Sequence, residues 1–222
     1  IYTNFKILFM KIKELPKTIP IFPLSNFIMF PGTSVPLNIF EPRYVQMIND
    51  SMKNDRIIGM VQPKKTGVLK KPDLYDIGCI GKITSFNETN DGRILIILNG
   101  ICRYKIKEEI INNKLYRECN VDYNQFEIDI SKKSNEINFR DINLIISNLQ
   151  RFFQKQGYQV NLKDLQKKEL SETLNDLSMA SPFSLEEKQI LLESQDINIR
   201  KKKLEQILNN YVKDEFKNTT IQ

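Results

Sequence analysis

The sequence predicts an α+β protein: a small closed or half-closed β-barrel with one early helix, followed by a C-terminal helical bundle. Three observations carry this. From Ile19 to about Tyr123, short apolar runs of strand length alternate with Pro and Gly punctuation. After about residue 124 the apolar spacing changes from a period of two to a period of 3.6. The composition, 41% hydrophobic and 27% charged over 222 residues, is that of a globular chain long enough for one good core or two small ones.

The elements follow in order. Residues 1–10, IYTNFKILFM, are apolar but lack the cationic start and small-residue cleavage site of a signal peptide. Met10 precedes Lys-Ile-Lys-Glu and reads as the natural start, with residues 1–9 an upstream extension or strand-like tail. Ile19–Leu24 and Val35–Phe40 are strands whose prolines (Pro20, Pro23, Pro36) suit edges, bulges or strand ends, and Phe30-Pro31-Gly32 turns between them. Pro42 at a first-turn position, then Tyr44, Val45, Ile48 and Met52, predicts the one early helix. Further strands are expected at Arg56–Gln62, Ile77–Asn87, Arg93–Leu98, Cys102–Glu109 and Tyr116–Tyr123. Asp91-Gly92 supplies the positive φ of a hairpin, and Asn99-Gly100 reads as a second turn.

Asp129 to Asn138 is polar and reads as a linker. Ile142, Ile145, Ile146, Leu149, Phe152 and Phe153 then share one helix face, ended by Gly157. Leu170, Leu174 and Leu177 mark a second helix, broken by Pro182. Ser184-Leu185-Glu186-Glu187 is a capping box that starts a third, with Leu185, Ile190 and Leu191. Asp196 caps a fourth, which buries Leu204, Ile207, Leu208 and Tyr211. The expected organisation is 1–16 extension, 17–128 barrel, 129–138 linker, 139–213 bundle and 214–222 tail.

Composition also excludes. The chain has no histidine, which removes Ser-His-Asp and Cys-His nucleophile systems and histidine-bearing zinc sites. Cys79, Cys102 and Cys119 are widely spaced without a CxxC pair, so they read as small buried side chains in a reducing cytoplasm, and no metal or other cofactor is expected. No stretch approaches 18 apolar residues, so no membrane span is expected. The net charge of +6 lies wholly in residues 1–123, with 18 Lys+Arg against 12 Asp+Glu, while 124–222 balances at 15 each. Lys, Ile and Asn together make 78 residues, a bias of A/T-rich coding that explains much of the lysine without a ligand.

Four motifs in order carry a family resemblance. They are Ile19-Pro20-Ile21-Phe22-Pro23-Leu24 with Phe30-Pro31-Gly32; Val35 to Tyr44, ending Phe40-Glu41-Pro42-Arg43-Tyr44; Gly78–Ile83 with Asp91-Gly92-Arg93 and Asn99-Gly100-Ile101-Cys102-Arg103-Tyr104; and Glu187–Glu193 with Arg200 and Leu204. Over about residues 17–210 the chain resembles the Lon N-terminal domain, the substrate-binding region of Lon proteases, and its stand-alone bacterial branch in particular. The resemblance implies a PUA-like β-barrel followed by a helical bundle. No G-x-x-x-x-G-K-[ST] loop is present and only about a dozen residues follow the matched bundle, so neither the ATPase nor the Ser-Lys protease domain of full Lon proteases is expected.

The expected function is therefore a non-catalytic polypeptide-binding module that takes unfolded or exposed apolar segments, in protein quality control and alongside a separate protease. Candidate binding residues are Phe40, Glu41, Arg43 and Tyr44, with Arg93 and Arg103 added because arginine is rare here, eight against 25 lysines. Each has a structural alternative: Phe40 and Tyr44 as filling between barrel and helix, Pro42 as helix start, the charges as ion pairs. The alternative function is RNA binding through Lys64, Lys65, Lys70, Lys71 and Arg103. Lys201–Lys203 reads as a solvated helix face, and Ser178, Ser181 and Ser184 as cap and turn residues.

Overall fold

The computed structural model describes residues 11–64, 71–131, 139–155, 157 and 169–218, and the chain divides into two compact units, Ile1–Lys132 and Lys133–Gln222. The reading of Met10 lies outside the described residues, as do Lys65, Lys70 and most of the linker.

The described residues of unit 1 hold six strands, β1 (Thr18–Pro23), β2 (Ser34–Ile39), β3 (Ile57–Val61), β4 (Ile77–Glu88), β5 (Ile94–Ile110) and β6 (Arg117–Asp122), with helix α1 (Pro42–Met52) between β2 and β3. They form one sheet in the order β2-β5-β4-β3-β1-β6, in which β5 also pairs with β6. Only β1 and β3 run parallel, from Ile21↔Gly59 to Pro23↔Val61. Ile19, Ile21, Ile80, Cys102, Tyr104 and Cys119 pack the core of this unit.

Two strand expectations are corrected. Asn99-Gly100 is not a turn: β5 runs unbroken through it for 17 residues. Gly100 is needed for a close backbone approach instead, since a Cβ there would lie 2.2 Å from the Phe30 carbonyl oxygen. Gly100 donates to the Thr33 carbonyl at 2.8 Å and accepts from Gly32 at 3.0 Å, so the Phe30-Pro31-Gly32 turn sits on the middle of β5. The register against β4 shifts between Ile80 and Gly81, where Ile101 is the extra residue of a bulge.

The prolines are the second correction. Pro36 lies on the edge strand β2 and Pro23 ends β1, as expected, but Pro20 lies inside β1, which is internal. β1 tolerates two prolines because its neighbours are staggered. β6 pairs Thr18 to Ile21 and β3 pairs Ile21 to Pro23, so Pro20 and Pro23 each have a sheet partner on one side only.

The helix α1 begins as expected, with Pro42 at its first turn and Glu41 accepting from the Tyr44 and Val45 amides at 2.8 and 2.9 Å. It buries Tyr44, Met47, Ile48 and Ser51. The hairpin between β4 and β5 turns at Gly92, whose φ is 78°. A 3-10 helix at Asn124–Asp129, unanticipated from the sequence, closes the described part of unit 1.

Unit 2 holds α2 (Phe139–Lys155), α3 (Leu170–Ala180), α4 (Leu185–Leu192) and α5 (Ile197–Asn218). On α2, Ile145, Ile146, Leu149, Phe152 and Phe153 are buried, and Gly157 takes a φ of 80° just beyond it. The rings of Phe152, Phe183 and Tyr211 cluster with centroids 4.9–6.1 Å apart. Arg200 is buried and donates to the Leu191 carbonyl at 2.9 Å and to Asn175, tying α3, α4 and α5 together. Asp196 caps α5 through the Asn198 and Ile199 amides, at 2.8 and 2.9 Å. Ser178 and Ser181 are buried and donate to carbonyls one turn back, at 2.7 and 2.6 Å.

On α4 the buried set is Gln189, Leu191 and Leu192, while Ile190 is 47% exposed and Leu185 half-buried. At about 100° per residue, Ile190-Leu191-Leu192 sweep an arc too wide for spacing alone to pick the buried edge. The capping box is present with both bonds, the Glu187 amide to Ser184 Oγ at 3.1 Å and the Ser184 amide to Glu187 Oε2 at 2.8 Å. Ser184→Ala is expected to lower the stability of this unit by about 1 kcal/mol, read as a lower urea midpoint with an unchanged slope.

Candidate polypeptide-binding corner

The end of β2 and the start of α1 meet at Ile39-Phe40-Glu41-Pro42. Ile39 points into the core and is buried, and the chain then turns at once into a helix preset by proline. Phe40 is left 64% exposed, one residue beyond β2 and two before the proline start of α1. Glu41 and Arg43 pair at 2.7 Å, each side chain close to half exposed. The Arg43 guanidinium lies 4.5 Å from the Tyr44 ring centroid, a cation–π contact.

Tyr44 is the anchor beneath this surface. Its ring sits 4.3 Å from that of Phe22 on β1, and burial raises its phenol above the ordinary value while Arg43 pulls the other way. The two aromatics therefore divide: Tyr44 fills the contact between sheet and helix, and Phe40 does not. Arg93 stands at the same end of the sheet, since the register from Ser34↔Asn99 to Ile39↔Ile94, carried one residue further, sets Phe40 against Arg93. It pairs with Asp91 at 3.0 Å across the hairpin turn, and the Thr89 hydroxyl holds the Asp91 carboxyl below its usual value.

Arg103 does not join them. It is 1% exposed and grips Asp129 through Nε and NH2, both at 2.8 Å, while its own backbone amide donates to the same carboxylate at 3.0 Å. Its guanidinium also lies 4.5 Å from the Phe126 ring centroid. Arg103, a candidate binding residue from the sequence, is placed in the ion-pair alternative: a buried pair that binds the 3-10 helix Asn124–Asp129 to β5. Asp129, read from the sequence as the first linker residue, belongs to that lock.

The lysines expected to serve RNA fare similarly. Lys64 faces Asp76 at 3.2 Å and Lys71 faces Glu109 at 2.9 Å. Every described cation of that set already meets a carboxylate. The three cysteines are buried free thiols; burial pushes Cys119 up to about 11 and Cys102 higher still, which leaves those two protonated at neutral pH. Among the described residues no group of three His, Cys, Asp or Glu could hold a metal, and no helix is long and apolar enough to cross a membrane.

Sequence reasoning missed a row of exposed apolar side chains. Leu95 and Ile97 on β5 are 43% and 41% exposed, beside exposed Pro36 and Asn38 of β2. The signal was present: Ile94-Leu95-Ile96-Ile97-Leu98 is apolar on both faces of a strand that buries only one. Ile111 and Leu115, in the connection from β5 to β6, are also exposed.

Comparison with known proteins gives this geometry its context. The chain is 25% identical over 214 residues to the Lon protease of Syntrophus aciditrophicus, which covers 90% of this chain and 26% of that protein. It is 35% identical over 100 residues to the Lon protease of Parabacteroides distasonis, 44% of this chain and 12% of that protein. The chain thus spans about a quarter or less of the curated relatives it matches. In fold it is similar to a Lon N-terminal domain protein from Xanthomonas campestris, with TM-score 0.60 and 20% identity, covering 86% of this chain and 97% of that one. It is likewise similar to the N-terminal domain of the Mycobacterium avium complex Lon protease, with TM-score 0.61 and 15% identity, covering 89% and 99%. The family model for the ATP-dependent protease La (LON) substrate-binding domain matches residues 18–210, and the chain belongs to that family.

Proposed function

We propose that this chain is a non-catalytic polypeptide-binding module that captures unfolded or exposed apolar segments at the Phe40 corner and serves as an adaptor in protein quality control. One observation carries the reading: a large aromatic side chain, 64% exposed, stands at the strand-to-helix junction of a substrate-binding-family domain. Phe40 supplies the apolar contact, Glu41 and Arg43 present a polar pair to the client backbone, Arg93 borders them, and Tyr44 backs the surface from below. Arg103 has no part in it. The finer fold class, a closed PUA-like barrel, belongs to the same reading and is supported by β5 pairing both with its neighbour β4 and with β6 at the far end of the sheet order.

The test uses a chemically unfolded, fluorescently labelled model protein titrated with this chain. Saturable binding is expected, with Phe40→Ala weakening it about tenfold, since burying such a ring is worth at least about 1.5 kcal/mol. Stability should change by less than about 0.5 kcal/mol, as Phe40 is a surface residue. Absence of saturable binding by the unaltered chain would remove the proposed function. Binding that ignores Phe40→Ala would move it away from this corner.

A further inference from the structure

Between β5 and β6 the chain exposes two apolar side chains on a loop that is otherwise tied down. Ile111 is 99% exposed and Leu115 63%. Asn112 Nδ2 donates to Glu118 Oε2 at 2.8 Å, and its Oδ1 accepts from the Lys114 amide at 3.0 Å. Lys114 Nζ reaches Glu118 Oε1 at 2.7 Å and lies 5.2 Å from the Tyr116 ring centroid. The Leu115 amide donates to Gln46 Oε1 at 2.9 Å, and the Tyr116 hydroxyl to Asp50 Oδ2 at 3.0 Å. Polar groups of this loop are turned back onto the protein while its aliphatic side chains face out. A floppy loop would bury such side chains by collapsing, and this one is prevented from doing so.

The attachment points place the loop beside the proposed corner. Gln46 and Asp50 lie on α1 one and two turns after Arg43, so all three follow one face of the helix. Leu115 therefore stands within about 13 Å of Phe40, from about 6 Å of helix rise between Pro42 and Gln46 and up to about 7 Å of non-helical backbone between Phe40 and Pro42. Lys114 is the only charged residue of 111–116 and is paired with Glu118, so the loop carries no unbalanced charge to seek a phosphate or an anionic headgroup. What remains to be matched is neutral apolar surface.

The geometry points to a second anchor for the same client: an extended, uncharged polypeptide segment that seats one apolar side chain against Phe40 and another against Leu115 and Ile111. This rests on the reading of the Phe40 corner and adds a spacing rule to it. An extended chain rises about 3.3 Å per residue with side chains on one face every second residue, so the two apolar residues should be two or four positions apart.

The experiment uses fluorescein-labelled, uncharged Gly/Ser/Asn peptides carrying two leucines separated by two, three, four or eight positions, titrated with the full chain. Affinity is expected to be highest at two or four, lower at three, where the two side chains leave opposite faces, and to fall about tenfold at eight, where only one anchor is engaged. Ile111→Ser and Leu115→Ser together should flatten this dependence while keeping the residual binding that Phe40→Ala weakens, and thermal melts should confirm that these surface variants fold. A flat spacing profile in the unaltered chain, or a serine variant that binds as tightly as the original, overturns the second anchor while leaving the Phe40 corner standing. Loss of all peptide binding in the unaltered chain instead overturns the reading it rests on. A concentration-dependent dimer in sedimentation, abolished by Ile111→Ser, would assign the surface to a second copy and also overturn the inference.

Discussion

Asp129→Ala is expected to destabilise unit 1 by about 3–5 kcal/mol, because it removes the carboxylate that pairs with a charged guanidinium almost wholly withdrawn from water. The carboxylate satisfies Arg103 Nε, Arg103 NH2 and the Arg103 amide together, so one substitution opens three bonds. Urea denaturation should show a large drop in midpoint. Arg103→Met combined with Asp129→Leu should recover most of the loss, since a buried pair replaced by apolar groups of similar volume is near neutral. A loss under about 1 kcal/mol for Asp129→Ala would mean that water replaces the carboxylate, and the lock would then be no lock.

Gly100→Ala is the second large effect. The added Cβ would lie 2.2 Å from the Phe30 carbonyl oxygen and 3.1 Å from its carbonyl carbon, and both atoms are backbone that no rotamer change can move. Overpacking of this kind costs about 1–3 kcal/mol when side chains yield, and here the upper end is expected. The hydrogen bonds between Gly100 and the 32–33 backbone hold the Phe30 turn over β5, so the strain should also speed amide exchange at Gly32 and Gly100. Gly92→Ala is the control. It has open space around it but a φ of 78°, so it should cost about 1 kcal/mol through backbone strain alone. Equal effects at the two glycines would refute the close-approach account of Gly100.

Why Gly100 reads as a turn from the sequence is instructive. Asn-Gly is a strong hairpin signal because glycine adopts positive φ freely, yet glycine also permits backbone to approach where any Cβ would clash. The two uses look the same in one dimension. Arg103 misleads for a related reason: scarcity of arginine in a lysine-rich chain marks a place where a planar fork is needed, and a buried carboxylate needs that fork as much as a ligand does. Its partner lies 26 positions away, across β6, in a segment polar enough to pass for linker.

Phe40 and Tyr44 show the same limit at the site itself. Four residues apart around a proline-started helix, both are aromatic and both lie in one motif, and only the position of β1 beneath the helix decides that Tyr44 packs on Phe22 while Phe40 stays in solvent.

What the amino-acid order by itself determined is local. The change of period, the proline start of α1, the Gly92 turn, the Ser184 and Asp196 caps and the apolar face of α2 all follow from neighbours within about four positions, where backbone sterics and short-range hydrogen bonds act. Only the tertiary structure decided the parallel pairing of β1 with β3, the continuity of β5 past Gly100, the Arg103–Asp129 lock and the exposure of Phe40, Ile111 and Leu115. Each depends on which distant segment arrives alongside, and hydrophobic burial, being non-directional, rewards many such arrangements until specific strand pairings and buried polar contacts select one of them.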